Sequence, residues 1–155
     1  MQVRVAEARD AAAIVSVINM AFRLSEGFLI DHDRIDLATV QELFGKGTFL
    51  VAEDMSVCGC VYVEPRQGDR YYLGLLAVDP RLQKSGLGSQ LMRAAEEHCA
   101  KAGSRFMDLR IVNVRAELPA FYHRHGYVES GTEPFPAGLD PKVPCHFVWM
   151  SKPLI

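Results

Sequence analysis

The stretch Leu73-Gly74-Leu75-Leu76-Ala77-Val78-Asp79-Pro80-Arg81-Leu82-Gln83-Lys84-Ser85-Gly86-Leu87-Gly88-Ser89 constrains the fold more than any other part of the chain. It opens as an apolar run with the character of a buried strand. Asp79-Pro80 stops that run, because proline has no amide to give to a ladder. Gly86 then opens a helix reaching about Gly103, with Leu87, Leu91, Ala94, Ala95, His98 and Ala102 on one face. Residues 105–112 follow as a strand, where Met107, Leu109 and Ile111 alternate with Asp108 and Arg110. Two strands joined by a helical crossover run parallel. Any fold for this chain must therefore hold a parallel pair with a helix on its face.

The flanking segments are read in the same way. Residues 2–7 alternate, with Val3 and Val5 on one face, as a short strand does. Asp10 is placed as an N-cap before an alanine run. Ile14, Val17, Ile18, Ala21 and Phe22 then predict an amphipathic helix over 11–22, followed by an irregular polar stretch over 23–35. A second helix is expected over 37–44, ended by Gly45. Residues 48–53, 57–64 and 70–78 are β-rich and separated by short links, which predicts an antiparallel meander. A further helix is expected at about 116–125, with Pro119 in its first turn. Residues 127–130 and 144–150 read as the last strands, and 131–143, with Gly131, Pro134, Pro136, Gly138 and Pro141, as a stiff loop. The order is β-α-α-β-β-β-α-β-α-β-β. It implies a mixed α/β sheet, mostly antiparallel, with helices on both faces.

Composition limits the function. A chain of 155 residues, 49% hydrophobic and 23% charged, is expected to form one globular domain over 1–155. The net charge of −2 and the lack of a basic stripe argue against a nucleic-acid partner. No window approaches ~18 apolar residues, so no membrane partner is expected. The N-terminal residues are too charged for a signal peptide, which leaves a cytoplasmic location by default. Cys58, Cys60, Cys99 and Cys145 form no C-x-x-C and read as reduced structural thiols, with Cys58 and Cys60 on one strand face. No metal site is expected: Asp31-His32-Asp33 reads as a polar loop, and His123 and His125 do not share a helix face. Trp149 alternates with Cys145 and Phe147 and is expected in the core.

The glycine turn carries the chemistry. Gly86 and Gly88 let backbone amides come close to an anion, the helix N-terminus adds its dipole, and Lys84 adds a cation. These are the parts of a diphosphate cradle. A P-loop would need a lysine after the second glycine, and a dinucleotide fingerprint would need a third glycine where Leu91 stands.

Gln83-x-x-Gly86-x-Gly88, after a strand ending Ala-Val-Asp-Pro, resembles the acyl-CoA-binding motif of the GNAT superfamily of N-acetyltransferases. Phe121-Tyr122-His123-Arg124-His125-Gly126-Tyr127 is similar to the F-Y-x-x-x-G-[FY] segment of that superfamily, and the two lie in the family's order. The resemblance implies a GNAT-type sheet of the α+β kind, acetyl-CoA as cosubstrate with coenzyme A as product, and a small-molecule or peptide amine as acceptor. It implies that the backbone of Leu76, Ala77 and Val78 holds the pantetheine arm on a strand that bulges and splays. The diphosphate would then rest on the amides of Gln83, Lys84, Ser85, Gly86, Leu87, Gly88 and Ser89. Tyr122 matches the family's tyrosine near the coenzyme sulfur, where a phenol of pKa ~10 can protonate the departing thiolate. The family's asparagine seven residues before that tyrosine is replaced by Arg115, with Asn113 two residues earlier; either can contact the coenzyme.

Candidates for the general base are Glu64, with Tyr62 and Tyr72 as holders of water, and Glu26. The acceptor cleft would be lined by 22–36 and 131–143. Phe22, Phe28, Leu29 and Phe135 would be its apolar part, and Arg23, Glu26, Asp31 and Glu133 its polar handles. No cysteine lies in the two motifs, which favours direct attack by the amine. A homodimer through the last strands is compatible with the family. The alternatives are a non-catalytic acyl-CoA-binding regulatory module of the same fold and a nucleotide-binding protein.

Overall fold

A computed structural model describes residues 1–30 and 32–154. Among them, seven strands form one sheet: β1 (Gln2–Val5), β2 (Thr48–Asp54), β3 (Ser56–Pro65), β4 (Arg70–Val78), β5 (Phe106–Val112), β6 (Val128–Pro134) and β7 (His146–Pro153). Their order across the sheet is β1-β2-β3-β4-β5-β7-β6. The pair β4–β5 is parallel, and the other pairs are antiparallel. Four α-helices also lie among the described residues: α1 (Ala11–Glu26), α2 (Leu37–Phe44), α3 (Leu87–Lys101) and α4 (Leu118–Arg124). The mixed sheet and the parallel crossover through α3 are as expected. No helix among the described residues is long and apolar enough to cross a membrane.

Two cores lie on opposite faces. On one face α1 and α2 set Ile14, Val17, Ile18 and Val40 against Phe49, Val51, Cys60, Tyr62 and Ala77. On the other, α3 buries Leu87, Leu91, Met92, Ala95 and Cys99 against Leu50, Val61, Leu73, Met107 and Leu109. The buried stripe of α3 thus includes Met92 and Cys99, whereas Ala102 is exposed. Helix α2 begins where Asp36 Oδ1 accepts the Thr39 amide at 2.8 Å, a side-chain N-cap.

Asp10 precedes α1 without capping it. Its carboxylate instead takes two hydrogen bonds from Arg4 and one from the Glu7 amide at 2.7 Å. Helix α1 also runs four residues beyond the expected end, to Glu26, which brings that carboxylate within 2.9 Å of Arg115.

Three further expectations are corrected. Cys58 and Cys60 do not share a face. The β2–β3 register shifts between Ala52 and Glu53, and the extra residue on β3 sends Cys58 to the α3 side and Cys60 to the α1 side. Burial pushes the Cys60 and Cys99 thiols up to about 12, which keeps them protonated. Strand β6 extends to Pro134, because β7 pairs with it past Gly131 through a second register shift. Trp149 shares a face with Phe147, but not the core one; Met150 on the opposite face is fully buried while Trp149 is half-buried.

The closed end of β4–β5 is held by charge. Asp108 accepts from Arg70 Nε at 2.8 Å and Nη2 at 2.7 Å, from Arg66 Nη1 at 2.7 Å and from Ser151 Oγ at 2.8 Å. Burial opposes the Asp108 charge. The hydrogen bonds from Arg70 and Ser151 and the field of the guanidiniums outweigh it and hold the carboxyl below its usual range. Asp108→Asn is expected to lower unfolding stability by about 2–3 kcal/mol, the size of a few charge-assisted bonds lost from a buried site. Urea denaturation at pH 7 checks this, and an unchanged midpoint would contradict it.

Acid should act through the same kind of group. Hydrogen bonds from Arg4, against an opposing burial effect, lower the Asp10 carboxyl from 3.8 to about 2. A carboxylate lowered on folding stabilises above its unfolded pKa and loses that contribution as pH falls through the folded value. Stability is therefore expected to decline between about pH 4 and pH 2, and Asp10→Asn should flatten that decline in denaturation curves measured at stepped pH.

Candidate active site

Strands β4 and β5 part soon after they meet. Their pairing runs Arg70–Phe106, Tyr71–Met107 and Tyr72–Asp108, and among the described residues it ends there. Strand β5 continues along β7 to Val112, while β4 continues along β3 to Val78. The β3–β4 register shifts between Cys60 and Tyr62, and Leu75 takes φ +52°. A β-bulge with a non-glycine residue in the left-handed region is uncommon and costs energy, so the rest of the sheet must hold it. The bulge turns β4 away from β5 and leaves a wedge between them. The Asp79 amide donates to Cys58 O at 2.8 Å, so alternation along the strand points the Val78 amide into the wedge.

The wedge opens toward the start of α3. Asp79 closes β4, its carboxylate accepting the Arg81 amide at 2.9 Å and the Arg81 guanidinium at 2.7 Å. Residues Gln83, Lys84, Ser85 and Gly86 are exposed, and Gly86 has φ +86°. Lys84 also sits in the left-handed region at φ +66°. The ladder of α3 begins with the Gln90 amide donating to Gly86 O at 3.0 Å, so the amides of the turn before it point out of the helix end. No atom lies within 4 Å of where a Cβ on Gly86 would stand, so glycine is required there by its dihedral and not by crowding. The turn thus presents amides at a positive helix end, as an anion requires.

Tyr122 lies in the core on the α3 side of the sheet. It is 8% exposed and packs in the same core as Leu73, Leu109 and Ile111 of the parted strands. Phe121 meets its ring edge-on at 5.0 Å. His125 Nε2 lies 3.0 Å from Ser89 Oγ, which ties α4 to the first turn of α3. Burial pushes the Tyr122 phenol up to about 12, with Tyr72 and Glu26 adding to the rise and Arg115 opposing it.

Several candidate residues are brought together. Glu26 and Arg115 form an ion pair at 2.9 Å, each side chain 14% exposed. This pair spans from α1 to the loop before α4. Arg115 Nε is buried without a hydrogen bond; Glu117 lies 3.5 Å away outside hydrogen-bond geometry. Asn113 is fixed at the end of β5, its amide donating to His146 O at 2.9 Å and its Oδ1 accepting the His146 amide at 2.8 Å. Its side-chain nitrogen carries two further donors. Glu64 accepts from the Tyr62 phenol at 2.6 Å and lies directly across from Tyr72. Burial first, and then Glu64, raise the Tyr62 phenol well above its usual range. The Tyr72 ring lies over Gly74, where a Cβ would come 2.5 Å from its hydroxyl.

Other expected lining residues do not meet here. Leu29 is fully buried in the protein, and Phe28 is exposed. Arg23 pairs with Asp33 at the surface, and Asp31 lies outside the described residues. Glu133 is engaged by Arg110 at 3.1 Å and by Trp149 Nε1 at 2.9 Å. Phe135 stacks on Phe147 at 5.0 Å. The loop after β6 reaches the α1–α2 loop, where the Lys142 amide donates to Leu29 O at 2.8 Å.

Sequence reading missed Arg110, Trp149 and Phe147 as a set. They line the face of β5 and β7 that neither α1 nor α2 covers. Arg110 lies 4.2 Å from the Phe147 ring centre and 5.7 Å from that of Trp149. The signal was present: an arginine opposite a tryptophan on paired strands is unusual for a buried face.

These features can be set beside known proteins. A family model described as an acetyltransferase (GNAT) domain matches residues 45–129, which run from the end of α2 into β6. No curated protein matches the chain by sequence. Solved structures match its fold. The ribosomal-protein-S18-alanine N-acetyltransferase from Escherichia coli has a TM-score of 0.79 at 18% identity, over 99% of this chain and 93% of that one. An aminoglycoside 6'-N-acetyltransferase complexed with coenzyme A gives 0.79 at 18%, over 100% and 98%. The yncA protein of Salmonella typhimurium, solved with its cofactor acetyl-CoA, gives 0.75 at 24%, over 100% and 94%. The family match covers more than half of the chain and includes both the parted strands and the glycine turn, so the protein belongs to the GNAT acetyltransferase family.

Proposed function

We propose that the protein transfers the acetyl group of acetyl-CoA directly to the nitrogen of an amine. The observation that carries this reading is the bulged β4, parted from β5, with the buried Tyr122 in the core those two strands share. Similar folds are held by proteins described with coenzyme A and with acetyl-CoA, which supports the cosubstrate. The two acetyltransferases named for an alanine of a ribosomal protein and for an aminoglycoside support an amine acceptor.

The backbone of Leu76, Ala77 and Val78 is the open strand edge on which the pantetheine arm adds as a strand partner would. Amides from Gln83 to Ser89, with Lys84, receive the diphosphate. Asn113 supplies its side-chain nitrogen and Arg115 its unpaired Nε as donors for the arm. The acceptor enters from the α1 side, over Tyr72 and Trp149.

An alkylamine with a lysine-like pKa of ~10.4 is protonated near pH 7 and must lose a proton before attack. Of the two carboxylates considered, Glu26 is neutralised by Arg115, whereas Glu64 is held by a single phenol on the acceptor face. We assign the proton to Glu64, directly or through water held by Tyr62 and Tyr72. The nitrogen lone pair then forms the C–N bond, the C–S bond breaks with its electron pair on sulfur, and the second proton on nitrogen leaves to water. Tyr122 gives its proton to that thiolate and takes one back from water. A phenol at about 12 keeps its proton throughout the neutral range, so the acid stays loaded.

Tyr122→Phe is expected to lower turnover by roughly 10²–10⁴-fold, the usual contribution of a positioned acid, with coenzyme affinity nearly unchanged. Thiol release from acetyl-CoA and calorimetric titration with coenzyme A give the two readouts. Wild-type turnover in this variant would remove Tyr122 from the mechanism. Glu64→Gln should reduce turnover with protonated alkylamines and restore part of it at higher pH, where the free amine is populated. If coenzyme A binds but no amine in a broad panel releases thiol, the non-catalytic binding module is the correct reading.

A further inference from the structure

Arg66 and Arg70 share one carboxylate, that of Asp108, at the closed end of the β4–β5 wedge. The sharing is unequal. Arg70 spends Nε and Nη2 on Asp108 and Ser151, while Arg66 gives only Nη1. The Arg66 guanidinium is stacked 4.7 Å from the centre of the Trp149 ring, and its side chain is 40% exposed. Asp69 acts on Arg70 through its field alone. Arg66 is thus a cation fixed in direction by Trp149 and Asp108, with unused donors facing out. A cavity of about 400 Å³ opens in front of it, lined by Arg66, Gln67 and Arg70.

Position says what this cavity can receive. Arg70 and Val78 are the two ends of β4, eight residues apart, or roughly 26 Å at 3.3 Å per residue. The coenzyme diphosphate, at the Val78 end, is too far away to use the arginines. The cavity belongs instead to the acceptor side, because Arg66 lies on Trp149 and Trp149 meets Tyr72 edge-on at 6.0 Å. Tyr72 and Gly74 mark the apex of the wedge, two and four residues from Arg70, so an amine there is about 10 Å from the guanidiniums. A planar guanidinium with two free N–H groups matches a carboxylate in both shape and charge.

We propose that the acceptor amine carries a carboxylate roughly 6–7 Å from its nitrogen, the ~10 Å to the guanidiniums less the ~3–4 Å of an ion-paired contact, and that Arg66, backed by Arg70 and Gln67, binds that carboxylate. The proposal rests on the acetyl-transfer reading given above for the role of the site, and the test separates the two. The probes are 6-aminohexanoate and its uncharged match, 6-aminohexanamide. Each is assayed for thiol release from acetyl-CoA, and each is titrated calorimetrically into protein saturated with coenzyme A. The carboxylate is expected to show at least a tenfold higher kcat/KM, through KM, and to bind where the amide does not. Arg66→Gln should abolish that preference. Gln67→Glu, an exposed substitution that disturbs no packing, should abolish it too by placing a negative charge on the cavity wall. Equal kcat/KM for the two probes, with acetylation of both, overturns the carboxylate site and leaves the transfer reading standing. Carboxylate-selective binding that Arg66→Gln removes upholds the site even without thiol release, and the transfer reading then falls only if the broad amine panel is silent as well. Equal or absent binding of both probes overturns the site.

Discussion

Asp108 decides where the sheet is shut, and so where it can open. Its carboxylate joins β4 through Arg70, the β3–β4 hairpin through Arg66, and β7 through Ser151. With the Tyr72–Asp108 pair closed, β4 and β5 can part only toward Val78 and Val112. The bulge at Leu75 then sets the direction of parting. A flat β4 would keep pairing with β5 and would cover its own amides. The glycine turn, the first turn of α3 and Tyr122 matter as they do because this gap exists beside them.

Charge in this chain is arranged in small closed groups. The net value of −2 conceals them. Glu26–Arg115, Arg110–Glu133 and the two arginines on Asp108 are three such groups, each with a defined partner. Glu26 and Arg115 reach their pairing only because α1 runs to Glu26 and the loop before α4 folds back toward it. A buried pair of this kind adds little net stability, since desolvation offsets attraction. It does fix the surroundings of Tyr122, where burial raises the phenol and the two charges act in opposite senses.

Much of the architecture was legible from periodicity. The meander, the crossover and the helix over Leu37–Phe44 follow from alternation, from Gly45 and Gly86, and from the apolar spacing of α1 and α3. What periodicity misses is a single added residue. One bulge splits Cys58 from Cys60, another opens β4 at Leu75, and a third lets β6 run past Gly131. A bulge leaves the hydrophobic pattern almost intact while moving side chains to the opposite face. The face of Trp149 was misjudged for a related reason. Alternation shows that Cys145, Phe147 and Trp149 are together, but only the folded chain shows that polar side chains such as Arg66, Arg110 and Glu133, and not a helix core, pack on Trp149 and Phe147. Glu64 and Tyr62 were legible as neighbours, two apart on one strand; the Arg66–Trp149–Arg70 cluster, assembled from a hairpin and two strands far apart in sequence, was not.

The central claim is that the open edge of β4 is a binding surface for the coenzyme arm. Amide hydrogen exchange with and without saturating coenzyme A tests it most directly. The account predicts new protection at Val78 and through the first turn of α3, at Leu87, Gly88 and Ser89, with the β1–β2 edge of the sheet unchanged. Binding of coenzyme A that leaves those amides exchanging at their free rate would contradict it.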